Sequence, residues 1–502
     1  MELSKEQQIA FDKYKEGHNI FITGPGGTGK SEIIRLIYKH AISSYKEIYV
    51  TALTGCAAIL LNCKAKTLHS WAGIGLGLGT PEEILNKLKK KPLSKAIWQS
   101  TDILVIDEVS MLSLKLFETL NLIGKKLRKN EKPFGGMQLI FSGDFYQLPP
   151  VGDYLEPDTQ KFCFESELWN DVFHLECQIE LKKIFRQSDE LYLSILNQIR
   201  EGKIKRKIND ILLEYVGKKV DNNFITEPTK LYPTKNKVNQ TNFMKLDELK
   251  SEEKTFTIEY LYDIEMTKKD KDIRKGFSDK DIEIELDFLS GNLLCEKSLT
   301  LKIGCQVMCI ININTTEGDL LICNGSQGIV IDFKNGFPYV HFNNGHKMVM
   351  LKHIWQSDKI PGIGVTQVPL ILSWALTIHK SQGSTLESAE IDVGSGIFEC
   401  GQTYVALSRV KSLNGLYLTS FDVSKIKINK KVKGFYELLR LYHETKQQTT
   451  EKNDIYVPLV IAEEVPLAIA EEINRTNRFI QYEYIPNVII ENKEIINLTN
   501  NI

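Results

Sequence analysis

No run of this 502-residue chain is apolar for long enough to form a membrane-crossing helix. Paired cysteines are missing too. Nine cysteines are scattered without a CxxC pair, which argues against a disulfide framework and for a reducing compartment. Cys295, Cys305, Cys309 and Cys323 precede His341, His346 and His353, but their spacing matches no zinc pattern. Bulk charge is also lacking: 63 basic residues face 64 acidic ones. A nucleic-acid partner is neither suggested nor excluded by that balance, because a local basic groove is enough. The start, Met1-Glu2-Leu3-Ser4-Lys5-Glu6, is expected to enter folded sequence at once, and no signal or transit peptide is expected there. An intracellular protein of nucleus or cytoplasm is the expectation.

What is present is ordinary globular material, 42% hydrophobic and 25% charged, in a chain long enough for three or four units. One segment carries specific chemistry. Gly24-Pro25-Gly26-Gly27-Thr28-Gly29-Lys30-Ser31 has GxxxxGK[ST] spacing. It follows an apolar run, Asn19–Thr23, that reads as a buried strand, and precedes the helical pattern Glu32–Ile37. Strand, glycine loop and helix together form a phosphate cradle, with backbone N–H groups turned inward at a helix N-terminus. Lys30 is expected to reach the β- and γ-phosphates of ATP, and the Ser31 hydroxyl to ligate Mg²⁺.

A second apolar strand, 102–106, ends in Asp107 and Glu108. Asp107 is expected to hold the metal and Glu108 to deprotonate the attacking water. A third strand, 138–144, runs into Phe145-Tyr146-Gln147-Leu148-Pro149-Pro150, which sets Gln147 on a stiff turn as a γ-phosphate sensor. Phosphoryl transfer also needs positive charge on the transition state. Arg186 and Arg409 are the candidates.

Read together, the motifs resemble the petite integration frequency (PIF) helicases of helicase superfamily one, over residues 3–425. Leu3–Gln7 resembles the glutamine motif, which implies that Gln7 reads adenine. Ala52–Ala58 and Thr67–Gly75 resemble the single-strand contact motif, and Lys132–Ile140 the family signature. Leu376–Gly383 resembles the fifth helicase motif and Tyr404–Arg409 the sixth, which adds Gln382 and Gly383 to the nucleotide site. Leu53, Cys56 and Trp71 depart from the usual residues of the contact motif.

The resemblance implies an α/β P-loop fold with two RecA-like motor domains, ATP between them and single-stranded DNA across both. It implies 5′-to-3′ movement and unwinding at duplex junctions. Thr54, His69, Trp71, His379 and Lys380 are the expected DNA contacts. Trp71 beside His69 is read as a stacking platform, worth roughly 1–3 kcal/mol per base. A RecD-like subunit of a larger complex, or an adaptor with a weak ATPase, are the competing readings.

The expected division is a first motor at 1–175, with a wedge near 72–92 that is glycine-rich from Gly73 to Gly79. The second motor is expected at 176–245 and 365–444. It is interrupted at 246–364, where short β-branched runs between 299 and 351 read as a small β-barrel. An extension, 445–502, lies outside the resemblance. Residues 451–502 carry nine acidic and four basic residues and the tandem repeat 457–464 and 465–472. That repeat is a candidate docking peptide for a replication or repair protein. The protein is expected to be monomeric and to touch no membrane.

Overall fold

Strands without polar alternation need cover on both faces, and the first third of the chain supplies several. Ile20–Thr23 (β1), Ile48–Ala52 (β2), Lys66–Thr67 (β3), Ile103–Asp107 (β4), Gln138–Gly143 (β5) and Gln178–Glu180 (β6) form one parallel sheet. Its order is β3-β2-β4-β5-β1-β6, so the first domain runs past the expected boundary at 175: β6 pairs with β1, and Ile179 packs with Ile20 and Ile22. Thr23 pairs with Gly143 and Ile106 with Phe141, so β1, β4 and β5 end side by side. The glycine loop, the acidic pair and the Gln147 turn therefore leave from one edge of the sheet, where α/β folds bind ligands. This computed structural model describes residues 3–451, apart from 62, 76, 78, 187–188, 221–224, 315–319, 323 and 358–359. Among the described residues, no helix is long and apolar enough to cross a membrane.

The helix Lys5–Lys15 (α1) opens with a reciprocal cap between Ser4 and Gln7. Lys30–Ser43 (α2) starts directly from Gly29, whose left-handed φ of 81° turns the loop into the helix. The signature segment is a packing device. Phe134 is fully buried, its N–H donates to Asn121 Oδ1 at 2.8 Å, and the backbone around it has positive φ. A Cβ on Gly135 would lie 2.4 Å from the Gly124 carbonyl oxygen.

The expected wedge begins with Gly73, Gly75, Gly77 and Gly79, all with positive φ, a conformation that glycine alone adopts freely. The helix behind it, Pro81–Lys89, buries Ile84, Leu85 and Leu88 in the first domain's core.

A second parallel sheet places Thr229–Tyr232 (β7) between Ala375–Thr377 and Ala389–Val393, with Leu416–Phe421 outermost. Between Tyr232 and Ala375 the chain builds an antiparallel insertion. Its five-stranded sheet runs Lys347–Val349, Phe337–Phe342, Gln327–Lys334, Gln306–Cys309, Leu370–Leu372. Val368, Leu370 and Trp374 pack into the insertion's own core, so its apolar contacts run past the expected boundary at 364. The charged stretch ahead of it contributes Glu253–Thr257, paired with Ser298–Lys302, and the helices Lys268–Arg274 and Asp279–Asn292.

The last described helix, Lys430–Glu451, departs from the expected layout. The sequence reading assigns its first part, to residue 444, to the second motor. Instead, Val432, Phe435, Tyr436 and Leu439 lie in the first domain's core beside Phe21, Phe145 and Trp169. The chain thus returns across the molecule and straps the first domain. The acidic repeat at 457–472 lies outside the described residues.

Candidate nucleotide site and nucleic-acid interface

The glycine loop is built by close approach. A Cβ on Gly24 would meet the Leu181 carbonyl oxygen at 2.4 Å, and one on Gly29 would meet Gln7 Nε2 at 2.6 Å. Gln7 Nε2 donates to the Thr28 carbonyl at 3.1 Å while its Oε1 accepts from Ser4 N–H at 2.9 Å. Gln7 thus fastens α1 to the loop, beside the ring of Phe185, whose own N–H donates to the Gly27 carbonyl at 2.8 Å. Thr28 donates its hydroxyl to the Pro25 carbonyl at 2.9 Å. Lys30 Nζ donates to the Gly24 and Pro25 carbonyls at 2.6 and 3.0 Å. Burial lowers the Lys30 pKa, and Asp144, Glu108 and Asp107 oppose that shift.

The acidic pair closes the other wall. Burial raises the pKa of Asp107, with the Ser142 hydroxyl opposing. Glu108 is pushed up to about 7, by burial first and by the Asp107 charge second. Glu108 has left-handed backbone, φ 57° and ψ 41°, a strain of roughly 1–2 kcal/mol for a residue with a Cβ. It meets Gln382, whose Nε2 donates to Glu108 Oε2 at 2.9 Å and to Gln147 Oε1 at 3.4 Å. Gln382 follows Ala375–Thr377 of the second sheet, so one amide of the second domain ties together two expected catalytic groups of the first. Gly383, next to it, has φ 81°. Ser31 stands at the start of α2, with oxygen-donor chemistry like that of Asp107.

Both arginines converge on Gly26. From the position a Cβ would take there, Arg409 Nη2 is 3.8 Å away and Arg186 Nη1 3.9 Å. Arg409 is fully buried at the end of the helix Gln402–Leu407, with Nε donating to Val405 O at 2.8 Å and Nη2 to Ser408 Oγ at 2.7 Å. Its pKa falls to about 10, from burial first and the neighbouring Arg186 charge second. Burial also lowers the Arg186 pKa. Two guanidiniums held together against a backbone N–H cradle make a site for a polyanion.

Tyr404 is a functional residue that the sequence motifs do not single out. Its hydroxyl accepts from Gly26 N–H at 2.9 Å, with a pKa pushed up to about 12 by burial. Its place in the same motif, at the opposite end from Arg409, is the available signal.

The expected DNA contacts are spread over both domains. Thr54 Oγ1 accepts from Ala57 N–H at 3.2 Å and so caps the short helix Gly55–Leu61. His69 is half-buried on Leu68–Ala72, near Gly77, and burial lowers its pKa. His379 is half-buried, with its pKa likewise lowered by burial, and Lys380 is exposed. Trp71 requires a correction. It is 0% exposed, with its ring 4.5 Å from that of Trp98 in the first domain's core. A ring sealed on both faces offers no surface to a base. The helix turns His69 toward the glycine stretch and Trp71 inward.

The PIF1-like helicase family model matches residues 2–210, and the model for the 2B domain of DNA helicase Pif1 matches residues 286–333. ATP-dependent DNA helicase PIF1 of Danio rerio is 36% identical over 87% of this chain and 64% of its own length. ATP-dependent DNA helicase RRM3 of Saccharomyces cerevisiae is 32% identical over 85% of this chain and 66% of its own. The chain therefore spans somewhat under two thirds of these curated relatives. Bacteroides sp Pif1 in complex with ADP-AlF4 superposes with TM-score 0.68 at 27% identity, over 91% of this chain and 100% of that one. The crystal structure of Pif1 helicase from Candida albicans superposes with TM-score 0.68 at 34% identity, over 88% of this chain and 100% of that one. With a solved relative of that identity matched along its whole length, the chain belongs to the PIF1-like helicase family.

Proposed function

We propose that this chain is an ATP-dependent DNA helicase that moves 5′ to 3′ on single-stranded DNA and opens duplex or folded DNA in replication, repair or recombination. The observation that carries the reading is the surround of Gly26, where Arg186, Arg409 and Tyr404 meet the glycine loop. Arg409 follows the helix Gln402–Leu407 of the second domain, so the charge it brings to the loop depends on how the two domains are spaced. Arginines so placed contribute roughly 10³–10⁵ in rate.

Ser31 and Asp107, an oxygen donor set suited to Mg²⁺, are the residues that would hold the ion, and the ion would neutralise charge on the β- and γ-phosphates. Lys30 exchanges its carbonyl partners for phosphate oxygens. Glu108 takes the proton of the attacking water, and Gln382 fixes that carboxylate with Gln147 alongside. Single-stranded DNA is the track. Bacteroides Pif1 has been solved bound to ssDNA, at 28% identity and TM-score 0.57 over 89% of this chain. The protein acts as a monomer in nucleus or cytoplasm, and its acidic extension recruits a replication or repair protein.

Strand separation on forked-end substrates tests this reading. With ATP and Mg²⁺, a duplex carrying only a 5′ single-stranded tail should be unwound, and one carrying only a 3′ tail should not. Lys30→Ala should abolish unwinding and leave nucleotide-free binding to single strands in place. DNA-stimulated hydrolysis without unwinding on either tail would instead favour a RecD-like translocase that needs a partner. Absence of hydrolysis altogether would favour the adaptor.

A further inference from the structure

Tyr436, on the helix Lys430–Glu451, belongs to none of the motifs, yet its hydroxyl sits at the foot of the nucleotide site. The side chain is 0% exposed. Its oxygen lies 2.5 Å from Thr23 Oγ1, at the last residue of β1 before the glycine loop. It accepts from Phe145 N–H at 3.1 Å and donates to Asp144 Oδ1 at 3.2 Å. With Thr23 donating, the phenol uses both acceptor sites and its one proton. A single hydroxyl thus joins the ends of β1 and β5, neighbouring strands that launch the loop and the Gln147 turn.

Asp144 continues the connection. It is 0% exposed and Arg200 is 2% exposed. Arg200 Nε donates to Oδ2 at 2.9 Å and Nη2 to Oδ1 at 2.8 Å. Arg200 lies on the helix Glu190–Glu201, whose apolar face packs in the second domain's core. Its guanidinium carbon is 4.5 Å from the ring centre of Tyr146 and 5.1 Å from that of Tyr436. Those two rings stack on each other at 4.7 Å and 11°. The carbonyl of Asp144 accepts from Gln147 N–H at 2.8 Å. One turn beyond Tyr436, Arg440 donates to both Glu180 carboxylate oxygens at 2.9 Å and to Glu201 at 2.8 Å, and so bridges the first sheet and the second domain's helix.

We propose that Tyr436 and the Asp144–Arg200 pair are positioning residues through which the placement of the second domain sets the glycine loop and Gln147. The inference rests on the ATPase reading given above. DNA lying across both domains fixes where the second domain stands, and Arg200 carries that placement into Asp144. From Asp144 it reaches Gln147 through the backbone, and the loop through Tyr436 and Thr23. All three side chains bond to protein groups and none is among those expected to hold phosphate, so their loss acts on stimulation by DNA rather than on the chemistry itself.

The experiment is steady-state hydrolysis by the full chain, with and without single-stranded DNA, for wild type, Tyr436→Phe, Arg200→Lys and the double variant. Tyr436→Phe keeps the ring stack and removes only the hydroxyl; Thr23→Val removes the same link from the other side. Each single variant should lower the DNA-stimulated kcat by about five-fold while DNA-free hydrolysis and KM for ATP stay within about two-fold. The double variant should fall no further than the worse single one, because both act through Asp144. Tyr436→Phe with wild-type stimulation overturns the inference. So does an equal loss with and without DNA, which marks a merely structural role, and so do multiplying losses in the double variant. A wild type whose hydrolysis DNA does not stimulate would sink the reading of a DNA-driven ATPase, whereas a stimulated wild type with an equally stimulated Tyr436→Phe sinks only the node.

Discussion

At the scale of single residues, the site turns on a carboxylate whose proton is held near neutrality. Glu108 is poised at about 7 because burial and the Asp107 charge both disfavour its ionised form. A general base works only when deprotonated, so hydrolysis should rise with pH and level off above that value. The expected profile of kcat/KM, which reports the free enzyme, is a single ascending limb with its midpoint near about 7. Glu108→Gln should remove that limb and lower kcat by about 10²–10⁴-fold, with KM for ATP little changed. Initial rates between pH 5.5 and 9 decide it; a limb that survives in Glu108→Gln would assign the titration to another group. Gln382→Leu offers a cross-check. It removes a hydrogen bond that favours the carboxylate, so the midpoint should move up.

At the scale of elements, the short helix Leu68–Ala72 shows what local pattern conveys and what it does not. The glycine loop, the acidic strand end and the two arginine motifs were legible because their chemistry depends on spacing within about ten residues. The face a five-residue helix buries is decided elsewhere. Trp71 turns inward because Trp98, 27 positions later, supplies a ring against it in a core that Ile84, Leu85 and Leu88 also join. An aromatic beside a histidine reads as a platform only until its neighbours in space are known. Trp71→Phe should therefore lower thermal stability through an underfilled core. Large-to-small core changes cost about 1–5 kcal/mol by size of the loss, and this one removes part of a ring system. Affinity for single-stranded DNA, measured well below the melting temperature, should be unchanged. A selective loss of affinity with unchanged melting would restore the stacking role. The signature turn teaches the converse. Its phenylalanine and glycines were visible as a motif, yet their reason is close packing: Gly135 lies against Gly124, and Phe134 fills the space under β5.

At the scale of the whole molecule, the order of the chain and the order of its cores differ. The helix Lys430–Glu451 follows the second sheet in sequence, but its apolar side completes the first domain's core. Sequence reading placed it with its neighbours in the chain, since nothing local marks which distant surface an amphipathic helix will choose. Phe435 gives the measure of that choice. Its ring lies 4.7 Å from Phe164, 5.3 Å from Phe145 and 6.1 Å from Phe21, within an aromatic cluster that backs β1 and β5. Phe435→Ala should cost about 3–5 kcal/mol, the range for emptying an aromatic site in a packed core. The location of that cost is the sharper prediction. Hydrogen exchange should quicken in Ile20–Thr23 and Gln138–Gly143, more than 290 residues away in the chain, while Ala389–Val393, close in sequence but in the other sheet, keeps its protection. Loss of protection confined to the second sheet would mean that the helix belongs to the domain it follows. Loss confined to the first would establish that the chain's last described helix closes the domain that holds the glycine loop.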